Sequence, residues 1–174
     1  MYNISITTEC TADLPVDILE KFDIDIIYYD IETEAGLFRD TKEVSANNVM
    51  EYMAEDYKKV HSVVPSANDY KSFFERNLKK ADEVIHICVS RDVSSAFENA
   101  KLGLAKLGMD AKKIHMVDSR SFSSGQGFVA IKAAMLRDEG RSVSDIIAGV
   151  NEIIPRINTS FMTINADYLY YNGK

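Results

Sequence analysis

Hydroxyl side chains gather at four points of the sequence: Thr8 with Thr11, Ser62 with Ser66, Ser90 with Ser94 and Ser95, and the run Ser119, Ser121, Ser123 and Ser124. Each cluster ends a short β-prone stretch and leads into residues with helical periodicity. Where a strand end, O–H donors and a helix N-terminus meet, a negatively charged ligand group is favoured, because unpaired backbone N–H groups and the positive end of the helix dipole face it. Such residues also cap helices, and that plain role is expected for Ser45 and Ser142 and chiefly for Ser66. Ser94 is the better candidate for a ligand contact. Ser95, with Glu98 three residues on, reads as a capping box whose backbone N–H can still face a carboxylate. Nucleophilic catalysis would need Ser94 or Ser119 beside a base, but His61, His86 and His115 are dispersed and no G-x-S-x-G elbow is present. Cys10 and Cys88 lack metal-ligand spacing. A hydrolase is therefore not expected, nor is a cofactor or a metal.

The elements that must position these hydroxyls can be read in order. Glu83 to Val89 is a short apolar run that suits a central parallel strand covered on both faces, followed by the Ser90–Ser95 turn and a helix with Phe97, Ala100, Leu104 and Leu107 on one side. Tyr2 to Thr7 predicts a first strand, Pro15 to Phe22 a helix, and Ile24 to Ile31 a second strand. Glu34-Ala35-Gly36 predicts a hairpin turn. Ser45 and Ser66 start helices, the latter carrying Tyr70, Phe73, Phe74 and Leu78 inward. Ile114 to Val117 predicts another strand before the second Ser-rich turn. Phe128, Ile131 and Met135 are expected as the buried stripe of the next helix, Ser142 with Asp145 caps a further one, and Thr159 to Ile164 reads as a strand. Strands and helices alternate throughout. That pattern argues for an α/β layered fold with a mainly parallel sheet and helices on both faces, whose ligands sit at the carboxyl ends of the strands.

Bulk composition narrows the function classes. With 46% hydrophobic and 27% charged residues over 174 positions, the chain has ordinary globular make-up and length for one domain. A net charge of −7 without clustered Lys and Arg argues against nucleic acid and anionic membrane as partners. No apolar run is long enough for membrane insertion, and the N-terminus lacks a signal-peptide pattern, so a cytoplasmic location is expected.

Five stretches in order resemble the DegV family of bacterial fatty-acid-binding proteins: Thr11-Ala12-Asp13-Leu14-Pro15, Phe38-Arg39-Asp40, Pro65-Ser66, the Ser90–Ser95 turn, and Asp118-Ser119-x-Ser121-x-Ser123-x-Gly125-x-Gly127. The resemblance implies a carrier that holds a long-chain fatty acid, its carboxylate on hydroxyls at a domain junction, and presents it to a separate fatty acid kinase. It matches Ser94 to the turn serine that bonds the carboxylate and Ser62 to a second hydroxyl position, with Thr11, Ser66, Ser95, Ser119 and Ser121 as further ligand candidates. Departures are Cys10 where Ser is usual, Val63-Val64 for a Ser-Gln pair, and Ser95-Ala96 for Gly-Thr. Residues 1–165 would be a DegV-like N-terminal domain and 166–174 the start of a junction to a missing second domain, along with its head-group histidine. Fatty acid is then expected to bind more weakly than to a full-length homologue, and the uncovered apolar surface can drive a homodimer. The alternatives are a substrate domain resembling that of dihydroxyacetone kinase, and an interaction module with no ligand.

Overall fold

The structure is a computed structural model that describes residues 3–54 and 59–162. A four-stranded parallel sheet is built from β1 (Ile4–Glu9), β2 (Ile24–Ile27), β6 (Glu83–Cys88) and β7 (Ile114–Asp118), in the order β2-β1-β6-β7. A smaller antiparallel arm consists of β3 (Asp30–Thr33), β4 (Gly36–Arg39) and β5 (His61–Val63), in the order β4-β3-β5. Among the described residues, α1 (Val16–Lys21), α2 (Ala46–Ala54), α3 (Ala67–Leu78) and α4 (Ala96–Ala105) lie between strands, and α5 (Ser123–Asp138) and α6 (Val143–Ile153) follow β7.

The continuous apolar run of β6 is what a strand buried on both faces requires. Ile85 and Ile87 join Ile4, Ile6 and Val117 beneath α5 and α6 on one face, while Val84 and Val89 join Tyr70, Phe73 and Phe74 of α3 and Ala96 and Ala100 of α4 on the other. Helices therefore cover both faces, as the alternating pattern implied. Ser66 starts α3 with a full capping box, its hydroxyl accepting from Asp69 N while Asp69 accepts from Ser66 N at 2.8 Å.

Several local expectations are corrected. The stretch expected as one strand from Ile24 to Ile31 is two, β2 in the main sheet and β3 in the arm, with Tyr28 and Tyr29 crossing between them. The buried face of α5 is not Phe128 and Met135, which are 61% and 46% exposed, but the small residues Gly125, Gly127, Ala130, Ala133 and Ala134 with Gln126 and Val129. Small side chains let the helix lie close to its neighbours: a Cβ on Gly127 would stand 2.8 Å from Leu14 Cδ2 and 3.0 Å from Ala12 O. Ser95 makes no side-chain cap, because it is already helical at φ −74° and ψ −2°; Ser94 Oγ instead accepts from Ala96 N at 3.2 Å. Thr159 to Met162 form no strand, and Thr163 and Ile164 lie outside the described residues.

Candidate functional site

The carboxyl ends of β1 and β6 and the arm strand β5 open onto a cleft of about 630 Å³. Thr11, Ser62, Ser94 and Ser95 line it, brought together from three separate segments of the chain. Val64, Val89, Val93 and Phe122 supply its apolar wall, and Tyr29, Asp13, Asp40 and His61 complete much of the rest. Ser94 and Ser95 immediately precede α4, so the positive end of that helix opens on the cleft. Among the described lining residues there is no Lys or Arg. The cleft thus offers an anion hydroxyls and a helix N-terminus, without an ion pair from these residues.

The other expected ligand residues lie elsewhere. Ser66 is exposed and spends its hydroxyl on the Asp69 carboxylate, 2.7 Å away. Ser119 and Ser121 are buried, Ser119 donating to Ser121 O at 3.1 Å and accepting from Ser121 N at 3.2 Å, while Ser121 Oγ is bonded to Thr159 Oγ1. Ser121 O in turn accepts from Ser90 N at 2.8 Å, so the second Ser-rich turn braces the first. Arg91 is exposed and pairs with Asp118 at 2.7 Å.

Beneath the cleft lies a buried polar network that sequence reading did not single out. Glu9, at the end of β1, is wholly buried and accepts from Val89 N at 2.8 Å, Gln126 Nε2 at 2.6 Å and the Tyr70 hydroxyl at 3.1 Å. Three donors are what a buried, acceptor-only carboxylate needs. Gln126 Nε2 also reaches Thr8 Oγ1 at 2.9 Å, which fixes its amide orientation and leaves Oε1 to accept from the Thr11 hydroxyl at 3.0 Å. Thr11 therefore spends its proton on Gln126 and shows the cleft only lone pairs. His86, buried against Tyr70, Phe73 and Phe74, contacts Thr7 Oγ1 through Nδ1 at 2.9 Å; its Nε2 faces Glu9 Oε1 at 3.4 Å without forming a hydrogen bond.

Glu9, His86 and Cys88 offer ligand atoms within 4.8 Å of one another, the one such group among the described residues. Burial pushes the Cys88 thiol well above its ordinary pKa, so it stays protonated, and both Glu9 oxygens already accept hydrogen bonds. The donor set suits a hydrogen-bonded core better than a metal. Cys10 is likewise held as a thiol, pushed up to about 12 mainly by burial, with Tyr29 N–H donating to its sulfur at 3.2 Å. Burial also raises the Tyr29 phenol, aided by the Glu9 charge, and its hydroxyl stands 3.3 Å from Ser94 Oγ.

The family model described as "Uncharacterised protein, DegV family" matches residues 3–174. The chain belongs to the DegV family. Among DegV domain-containing proteins, that of Caldanaerobacter subterraneus is 29% identical over 174 residues, covering 100% of this chain and 61% of the relative. One from Clostridium acetobutylicum is 27% identical over 176 residues, covering 100% and 62%. The chain thus spans about three fifths of the length of these curated relatives. Among solved structures, DegV of Bacillus subtilis, described as a fatty acid binding protein, is 25% identical with a TM-score of 0.81 over 89% of this chain and 55% of that one. A DegV family protein of Ruminococcus gnavus, solved with vaccenic acid, is 20% identical with a TM-score of 0.85 over 99% and 61%. These likenesses place the α/β architecture within the DegV fold. No helix among the described residues is long and apolar enough to cross a membrane.

Proposed function

We propose that this chain binds a long-chain fatty acid, with the carboxylate held at the strand-end cleft by the hydroxyls of Ser94 and Ser62 and by backbone N–H at Ser95. The observation that carries this reading is the convergence of those residues on one cleft that also has an apolar wall of Val64, Val89, Val93 and Phe122. Support comes from the DegV proteins of similar fold that are described as binding fatty acids. Thr11 stands at the rim as an acceptor, while Ser66, Ser119 and Ser121 serve the scaffold instead of the ligand.

Magnitudes divide the labour. Burying about fifteen methylenes at about 0.8 kcal/mol each gives roughly 12 kcal/mol before costs, whereas each neutral donor to a carboxylate contributes about 1.5 to 3 kcal/mol. The tail supplies affinity and the hydroxyls orientation. In this reading the chain is a cytoplasmic carrier and not a catalyst, handing its ligand to a fatty acid kinase. Residues 1–165 correspond to the N-terminal domain of longer DegV proteins, and 166–174 to the start of the junction.

Native mass spectrometry of the purified chain, followed by denaturing extraction, tests the proposal. A released long-chain fatty acid is the expected result. A chain that carries none, and takes up none when oleate is added, would refute it.

A further inference from the structure

We propose that Tyr29 is a positioning residue that commits the Ser94 hydroxyl to donating into the cleft, so that this position of the cleft takes an acceptor head group. The inference rests on the fatty-acid reading of that cleft. Tyr29 follows β2 where the chain crosses to the arm, and both of its backbone groups are pinned: its N–H donates to Cys10 Sγ at 3.2 Å and its carbonyl accepts from Asp40 N at 3.0 Å. The side chain lines the cleft although the residue is only 5% exposed, and its hydroxyl lies 3.3 Å from Ser94 Oγ.

A serine hydroxyl has one proton and two lone pairs. One Ser94 lone pair accepts from Ala96 N at 3.2 Å. If the phenol donates to the other, the only remaining capacity of Ser94 is its own proton, and the free direction is the cleft. A phenol is the stronger proton donor and the weaker acceptor of the two hydroxyls, which sets the direction from Tyr29 to Ser94. Burial and the nearby Glu9 carboxylate keep the phenol protonated, so the donor persists through the alkaline range. Thr11 shows the opposite polarity in the same cleft, since its proton is given to Gln126 Oε1 at 3.0 Å. Two hydroxyls of similar kind are thus assigned opposite roles by their buried partners.

A double-mutant cycle on the 174-residue chain, read by cis-parinaric acid fluorescence, tests the assignment. Tyr29→Phe should weaken the probe about 3- to 10-fold when Ser94 is present and leave it nearly unchanged in Ser94→Ala, because the phenol acts through that hydroxyl. Equal losses in both backgrounds, or none in either, would overturn the proposal. A second readout needs no ligand: with ¹³C-labelled tyrosine, the Tyr29 Cζ resonance should move in Ser94→Ala as the phenol loses its acceptor. An unmoved resonance would overturn the inference even if Tyr29→Phe failed to fold. A moved resonance in a chain that binds no fatty acid would leave the Tyr29 assignment standing and remove the fatty-acid reading.

Discussion

The two Ser-rich turns, after β6 and after β7, are alike in composition and opposite in use. Ser90 to Ser95 leaves Ser94 half-buried and Ser95 exposed on the cleft, whereas Ser119 and Ser121 are 1% and 3% exposed and consume their hydroxyls within the protein. The difference lies in what each turn must hold. The first is supported from below by the Glu9 carboxylate on Val89 N and from the side by Ser121 O on Ser90 N, and its own hydroxyls act within it only as acceptors, Ser90 Oγ from Asp92 N and Ser94 Oγ from Ala96 N, each at 3.2 Å. The second has to support itself, because Arg120 at φ 50° and Ser123 at φ 52° bend the chain back sharply, and Ser119 Oγ and Ser121 Oγ tie the bend together and to Thr159. A hydroxyl stays available to a ligand where its structural contact is accepted and its proton is left unspent, as at Ser94, whereas Ser119 gives its proton to Ser121 O.

Substitutions should separate the two roles. The largest effect is expected at Gly125, where a Cβ would collide with Ser121 Oγ and Thr159 Oγ1. Gly125→Ala should cost about 3 kcal/mol of stability in urea unfolding, and a variant as stable as the parent would show that the second turn is not a brace. Ser94→Ala comes next. It should weaken fatty acid binding about tenfold or more by calorimetry at a stability cost of only about 0.5 to 1 kcal/mol from the lost Ala96 N–H contact. Ser121→Ala is expected to do the reverse, losing about 1 kcal/mol of stability while the folded protein keeps its affinity. A further effect, confined to alkaline pH, concerns the buried Cys10. Its thiol is raised in the folded chain, so the unfolded chain gives up that proton first as pH rises, and stability should fall between about pH 9 and the folded value of about 12. Cys10→Ala should flatten that fall in the urea midpoint; an unchanged profile would mean that other groups cause it.

Much of the fold could be read from local signals, because apolar runs, Pro and capping pairs act over a few residues. Ser66 with Asp69 and Ser142 with Asp145 both start helices as their spacing predicts. What the sequence concealed depends on distant partners or on size. The inward face of α5 is a stripe of Gly and Ala, and large apolar residues drew the reading to Phe128 and Met135, which face out. Ser94 took over the capping contact from Ser95 because the turn after Ser90 enters helical geometry one residue early, a matter of backbone angles that composition does not carry. The strand-end position of the cleft follows from the alternating pattern and the hydroxyl clusters, and Ser62, Ser94, Ser95 and Thr11 do line it. Glu9, Gln126 and Tyr29 were invisible, since Glu9 and Gln126 are 117 residues apart in the chain and Tyr29 and Ser94 are 65 apart. Nothing local marks a glutamate at a strand end as wholly buried.

The most direct test of the claim that the first turn holds the carboxylate is the ¹³C resonance of carboxyl-labelled oleate bound to the parent chain, Ser94→Ala and Ser121→Ala. The account predicts a bound signal in all three, shifted in Ser94→Ala relative to the parent and unshifted in Ser121→Ala. A bound signal indifferent to Ser94, or one that moves with Ser121 instead, would contradict it.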